Sequence, residues 1–227
     1  RNHPVNPDSV LVMVAKRLRR FSPSCPLCSS DSSPFYKETF LMCLVCGGVF
    51  RPPADFPSIR EEKTRYEEHE NDVEDTRYQR FVSPITDIVQ KEQSTNTIGL
   101  DFGSGTAPVI SKVLDDEGYL IKQYDPIFCP DPNVLKSTYD YIVCCEVIEH
   151  FHNPLKEFNR LKGLLKPKGR LYCMTLLYHA GIDFANWHYQ RDDTHVFIYQ
   201  EKTLDWIRNA LLFDSVKVEE RLITFST

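Results

Sequence analysis

Apolar residues beyond position 57 fall into two alternating spacings. Residues 58–70 and 75–93 carry them at helical intervals, with Tyr66, Tyr78, Phe81 and Ile85 predicted as buried contacts. The runs Thr97–Asp101, Tyr119–Tyr124 and Tyr139–Cys145 are short, continuous and closed by acids or glycines, the pattern of strands buried on both faces. Helical spacing over 107–117 separates the first two, so this part reads as α/β. Upstream, Asp8-Ser9 can cap a helix carrying Val10, Leu11, Val14 and Leu18 on one side, and Phe35–Lys37 with Thr39–Met42 read as a hairpin. Pro52-Pro53 and Pro57 predict an extended break. The division is therefore residues 1–57 and 58–227.

No run of eighteen apolar residues occurs, which excludes a helical membrane span. Charges following Val10–Ala15 argue against a secretory leader, and Arg1 in first place leads us to expect natural sequence upstream. With 41% hydrophobic and 26% charged residues, extensive disorder is not expected. The net charge of −5 argues against a chain that wraps nucleic acid. Charge is unevenly placed, however: residues 1–60 hold eight Lys/Arg against four Asp/Glu, and the remainder nineteen against twenty-eight. Nucleic-acid contact, if there is any, is expected of the basic amino-terminal module, through Arg17, Arg19 and Arg20.

Four of eight cysteines fall in that module. Cys25-Pro-Leu-Cys28 and Cys43-Leu-Val-Cys46 form two CxxC knuckles, with Gly47-Gly48 placed to turn amides toward a sulfur. Four thiolates at this spacing predict a closed structural zinc site, a zinc ribbon. Two disulfides are the alternative; unpaired cysteines elsewhere and an expected cytoplasmic location favour metal.

The strand ending at Asp101 runs into Phe102, Gly103, Ser104, Gly105, Thr106 and Ala107, a turn that can bring bare amides to a ligand. A dinucleotide fingerprint requires a third small residue where this chain has Pro108, which weakens a nicotinamide reading. Asp125 closes the second strand, where a carboxylate can accept both hydroxyls of a ribose.

The turn resembles motif I of class I S-adenosylmethionine-dependent methyltransferases, with Ala107 where many members have a third glycine. The resemblance covers about residues 62–227. It implies S-adenosylmethionine as cofactor, held by Asp101, Phe102, Gly103, Ser104, Gly105, Asp125 and Glu146. It also implies a Rossmann-like sheet, with the helix, Pro-Lys-Gly turn and fifth strand over residues 161–175, and a last helix and antiparallel pair after Trp206. Fourteen residues between Asp125 and Asp140 are too few for the usual third strand and its helix, so that strand is expected to be reduced or absent. Glu146-Val-Ile-Glu149-His150 is similar to a segment of ubiquinone-biosynthesis O-methyltransferases and small-RNA 2′-O-methyltransferases. Residues 65–69 and 187–195 resemble an uncharacterised bacterial methyltransferase group with an amino-terminal zinc ribbon.

If residues 146–151 begin a helix, Glu146, Glu149 and His150 share one face, and two carboxylates there call for a shared proton or a divalent ion. In the small-RNA enzymes that segment, with a later histidine, holds a metal; His195 is the corresponding expectation here. Alternatively Glu149 caps a helix and His150 packs against a backbone carbonyl. Trp187, His188 and Tyr189 either line an acceptor pocket or pack beneath the loop; Cys144 and Cys145 read as small hydrophobes. The expected activity is methyl transfer to an acceptor, an oxygen nucleophile on a small molecule, with Glu146, Glu149, His150 and His195 as the deprotonating groups. RNA 2′-O-methylation and non-catalytic cofactor sensing are the competing readings.

Overall fold

The computed structural model of the chain describes residues 23–68 and 71–227. The expected helix over Val10–Leu18 and its arginines lie outside them. Six strands form the main sheet: β4 (Ile98–Phe102), β5 (Leu120–Tyr124), β6 (Tyr139–Cys145), β7 (Leu165–Met174), β9 (Ser215–Glu219) and β10 (Leu222–Ser226). Their order is β5-β4-β6-β7-β10-β9, with the first four parallel and β10 antiparallel to both neighbours. This is a Rossmann-like sheet without the third strand. Residues 126–138 hold only a 3-10 turn, Val134–Lys136, and one bridge between Asp125 and Cys129. The Pro-Lys-Gly segment is a bulge inside β7, where the register jumps from Leu165 to Arg170 and Lys168 takes φ 66°.

Alternation in β6 decides what each face buries. Tyr141 and Val143 face α2 (Thr76–Glu92) and α3 (Val109–Asp116), together with Val82, Ile85, Val89, Ile110 and Leu114. Ile142 and Cys144 face α4 (Pro154–Gly163) and α5 (Glu201–Ala210), through Phe158, Leu161, Leu204 and Ile207. Phe81 departs from its expected burial: it is exposed, with the Arg221 guanidinium 4.4 Å from its ring centre, and Val82 takes the inward position. An earlier helix, α1 (Ile59–Glu67), begins at a Ser58–Glu61 capping box and buries none of its residues.

The amino-terminal segment forms a second sheet of β1 (Ser32–Tyr36), β2 (Phe40–Cys43), β3 (Val49–Phe50) and β8 (Phe197–Ile198), in that order. Its fourth strand comes from the far end of the chain, with Val49 opposite Ile198 and Phe50 opposite Phe197. A Cβ on Gly48 would lie 2.2 Å from the Phe197 ring, so only glycine permits this approach. Cys25, Leu27, Cys43, Cys46 and Phe50 belong to the same core as Leu100, Ile142 and Phe158. Among the described residues no helix is long and apolar enough to cross a membrane.

Candidate active site

β4 ends in a turn where Gly103 and Gly105 take φ of 82° and 65°. At Gly103 a Cβ would stand 2.5 Å from Val147 Cγ2, so the segment after β6 lies directly on the turn. Asp125, at the end of β5, accepts from the Gly105 amide at 3.0 Å through Oδ2 and from the Ile127 and Phe128 amides at 2.8 and 2.9 Å through Oδ1. The carboxylate thus fixes the glycine turn and the loop beyond β5 together. Asp101 is enclosed beneath the turn and accepts from Ser111 Oγ at 2.8 Å. Burial raises its carboxyl to about 6, despite the Ser111 bonds that oppose the shift.

The segment after β6 is not the beginning of an α-helix. Glu146 sits at φ 49°, a left-handed conformation uncommon outside glycine, and only the 3-10 turn Ile148–His150 follows before Phe151 extends again. The expected helical face with three ligands is therefore absent. Glu146 and Glu149 nevertheless lie close enough for the charge of Glu146 to act on Glu149. Glu146 Oε1 and Glu149 Oε2 are buried and have no hydrogen-bond partner. Burial, then the neighbouring Glu146 charge, pushes Glu149 far above the usual carboxylate range; burial also raises Glu146. Two neighbouring carboxyls, each with a buried, unpartnered oxygen, call for a proton or a cation.

Ligand atoms of Glu149, His150 and His195 all lie within 4.8 Å of one another. His150 Nδ1 donates to Thr194 O at 2.9 Å and His195 Nδ1 to Tyr189 O at 2.7 Å. Carbonyls only accept, so Nδ1 of both rings carries a proton, and a ring that is neutral has its lone pair on Nε2. Burial lowers the His195 pKa below the ordinary histidine value, with the Tyr189 carbonyl and Asp192 opposing. Tyr189 is buried and its hydroxyl donates to Glu149 Oε1, while Trp187 stacks beside it with ring centres 5.0 Å apart.

Three contributors were not visible as site residues in the sequence. Tyr66 of α1 stands edge-on to His150, 5.4 Å between ring centres, and 6.5 Å from Phe128, between the Asp125 loop and the histidine cluster. Arg65 donates through Nε and Nη2 to Asp192 Oδ2, at 3.2 and 2.9 Å, and so ties α1 to the loop before His195. Arg51 enters the same loop from the ribbon side. The cleft between these elements has a volume of about 970 Å³ and is lined by residues 54–57, Glu61, Arg65, Glu68 and 188–195 except Gln190.

In the ribbon, Cys25 Sγ is 3.6 Å from Cys46 Sγ and Cys28 Sγ 3.3 Å from Cys43 Sγ, far beyond a disulfide bond. Amides of Val45 and Cys46 donate to Cys43 Sγ, and that of Gly48 to Cys46 Sγ. Four clustered sulfurs supported by amide donors are a donor set that fits a tetrahedral zinc.

A family model described as a methyltransferase domain matches residues 73–216. No curated protein matches the chain. Among solved structures, the chain is similar to a Burkholderia thailandensis 1,6-didemethyltoxoflavin-N1-methyltransferase with 1,6-didemethyltoxoflavin and S-adenosylhomocysteine bound. That match has a TM-score of 0.54 and 12% identity over 86% of this chain and 98% of that one. Magnesium protoporphyrin IX methyltransferase from Synechocystis with bound S-adenosylhomocysteine gives 0.49 and 13%, over 66% and 83%. An O-methyltransferase family protein from Burkholderia thailandensis gives 0.48 and 13%, over 73% of this chain and only 61% of its own length.

Proposed function

Since the chain belongs to the methyltransferase-domain family, we propose that it is an S-adenosylmethionine-dependent methyltransferase acting on an oxygen nucleophile of a small molecule. The observation that carries the cofactor is the glycine turn, whose Gly105 amide is tied to Asp125 at the carboxyl edge of the sheet. S-adenosylmethionine, when bound, supplies a methyl on a sulfonium whose S–C bond breaks as an acceptor lone pair attacks. Asp125 holds the ribose side, Asp101 meets the methionine ammonium, and Phe102, Gly103, Ser104 and Glu146 border the remainder. These roles suit the positions at the ends of β4, β5 and β6.

On the acceptor side, Arg65 and the 188–195 loop bound the cleft and orient what enters it, while Tyr66 stands edge-on to His150. His195 and His150 donate to carbonyls through Nδ1, so Nε2 is the ring atom that takes the acceptor proton, with Glu149 beside them and Glu146 next to Glu149. Glu149, His150 and His195, three of the four expected ligands, fit a divalent ion, for a ligating histidine characteristically donates its other N–H to a carbonyl, as both do here. An ion at that place would lower the acceptor's pKa. Four cysteines of the ribbon hold a structural zinc.

The test is incubation of the protein with cell extract and isotope-labelled cofactor, followed by mass spectrometry of small molecules and RNA separately. Label in a small-molecule oxygen supports the reading; label in RNA ribose supports 2′-O-methylation. Cofactor binding with no labelled product overturns catalysis in favour of sensing. Activity that falls with EDTA and returns with a divalent ion, while the ribbon keeps its metal, assigns the ion to the cluster.

A further inference from the structure

Arg51 immediately follows β3, and its side chain leaves the ribbon to fill the inside of the 189–195 loop. Its Nε donates to His195 O at 3.3 Å, and its Nη2 to Gln190 O at 3.2 Å and Asp192 O at 3.3 Å. Nη2 also pairs with Asp193 Oδ1 at 3.0 Å, and the guanidinium carbon stands 4.6 Å from the Phe40 ring centre on β2. The side chain is 10% exposed. Its own amide donates to Val196 O at 3.0 Å, extending the β3–β8 pairing by one residue, to Val196.

We propose that Arg51 is a positioning residue for His195, through which the ribbon becomes part of the acceptor side of the site. The inference rests on the proposed role of His195, but its geometry can be tested without turnover. Three carbonyls converge on one cation, and all belong to the loop whose two ends serve the cluster: Tyr189 donates to Glu149, and Tyr189 O takes the His195 Nδ1 proton. Without a cation at its centre, these carbonyl dipoles repel and lose their donors in a buried place. The loop then relaxes, the bond from His195 Nδ1 to Tyr189 O is lost, and with it the single tautomer. A planar fork is needed because donors must leave in different directions; lysine keeps the charge but delivers it from one point. The other side of the loop is held by Arg65 on Asp192, and Val196 N donates to Glu149 O at 3.0 Å. Arg51 thus holds the loop from the end of β3, on the side of the amino-terminal sheet.

Long-range proton–nitrogen NMR of the histidine rings tests this on the full chain. Wild-type protein should show His195 as one tautomer, protonated on Nδ1, and the Arg51 Nε proton should exchange more slowly with water than that of exposed Arg77. Arg51→Lys should lose the single His195 tautomer while the His152 signals stay unchanged. Turnover should fall by about 10–100-fold, the range for groups that orient a working side chain, with S-adenosylhomocysteine affinity unaltered. A folded Arg51→Lys protein that keeps the wild-type His195 tautomer overturns the proposal. If Arg51→Lys does not fold, the wild-type exchange rate decides: an Arg51 Nε proton exchanging as fast as that of Arg77 overturns it, and a protected one supports it. Loss of S-adenosylhomocysteine binding in wild-type protein would refute the methyltransferase reading instead, and leaves the tautomer measurement intact.

Discussion

The Tyr189 hydroxyl donates to Glu149 Oε1 at 2.5 Å and also meets Thr175 Oγ1, so one phenol ties the 188–195 loop to the glutamate behind it and to the end of β7. Tyr189→Phe removes the donor while keeping the ring. Glu149 then has two unpartnered oxygens in a fully buried place, and stability should fall by about 1–3 kcal/mol, the cost of an orphaned buried acceptor. Urea unfolding measures it. An unchanged midpoint would show that Glu149 finds another donor.

Asp101 connects pH with stability and, in the proposed role, with cofactor binding. Its folded carboxyl titrates at about 6 against an ordinary value of 3.8. The native state thus holds a proton that the unfolded chain releases, and the stabilisation present below pH 4 is lost as pH rises through 6. The full span is about 3 kcal/mol by linkage, and Asp101→Asn should flatten the slope between pH 4 and 6. An ammonium brought against this carboxyl favours its charged form, so S-adenosylhomocysteine binding at pH 6 should release a proton. Calorimetry in two buffers of different ionisation enthalpy reads that proton directly; identical heats in both would remove Asp101 from the ammonium contact.

Asp125→Ala should weaken S-adenosylhomocysteine by roughly 1.5–3 kcal/mol through the lost hydroxyl bonds alone. Because the same carboxylate holds the amides of Gly105, Ile127 and Phe128, Asp125→Asn is the more informative change. It keeps one acceptor oxygen, and its affinity should lie between those of wild type and the alanine variant. Equal affinity in all three would place the ribose elsewhere.

Elemental analysis of protein purified without added metal should find about one zinc per chain, as four thiolates require. Cys28→Ser should lose the metal and the protection of amides in residues 25–50. Full zinc retention would refute the four-cysteine site.

What the sequence made legible was whatever is local. The CxxC knuckles, the glycine turn and the acid ending each strand are sets of neighbours in sequence, and their spacing carries the geometry. The missing third strand was legible too, as a simple shortage of residues between Asp125 and Asp140. The turn at Glu146 was not: the 146, 149, 150 spacing suggests a helix, whereas the chain leaves β6 beside the glycine turn, and the close packing of Val147 on Gly103 imposes a left-handed residue. Tyr66 and Arg51 were illegible for another reason. Each lies in a segment with a sufficient local explanation, an amphipathic helix or a strand end, and its partners are separated from it by 60 to 150 residues.

The pairing of β3 with β8 constrains the order in which this chain can become structured. Val49 and Phe50 wait for Phe197 and Ile198, so the amino-terminal sheet is completed only by residues some 147 positions further along the chain. During synthesis β1, β2 and β3 must remain open until β8 has been made, with Phe40, Val49 and Phe50 uncovered, and such long-range closure slows folding. A cut near residue 57 would leave β8 as a bare edge bearing Phe197 and Ile198, a ready template for self-association.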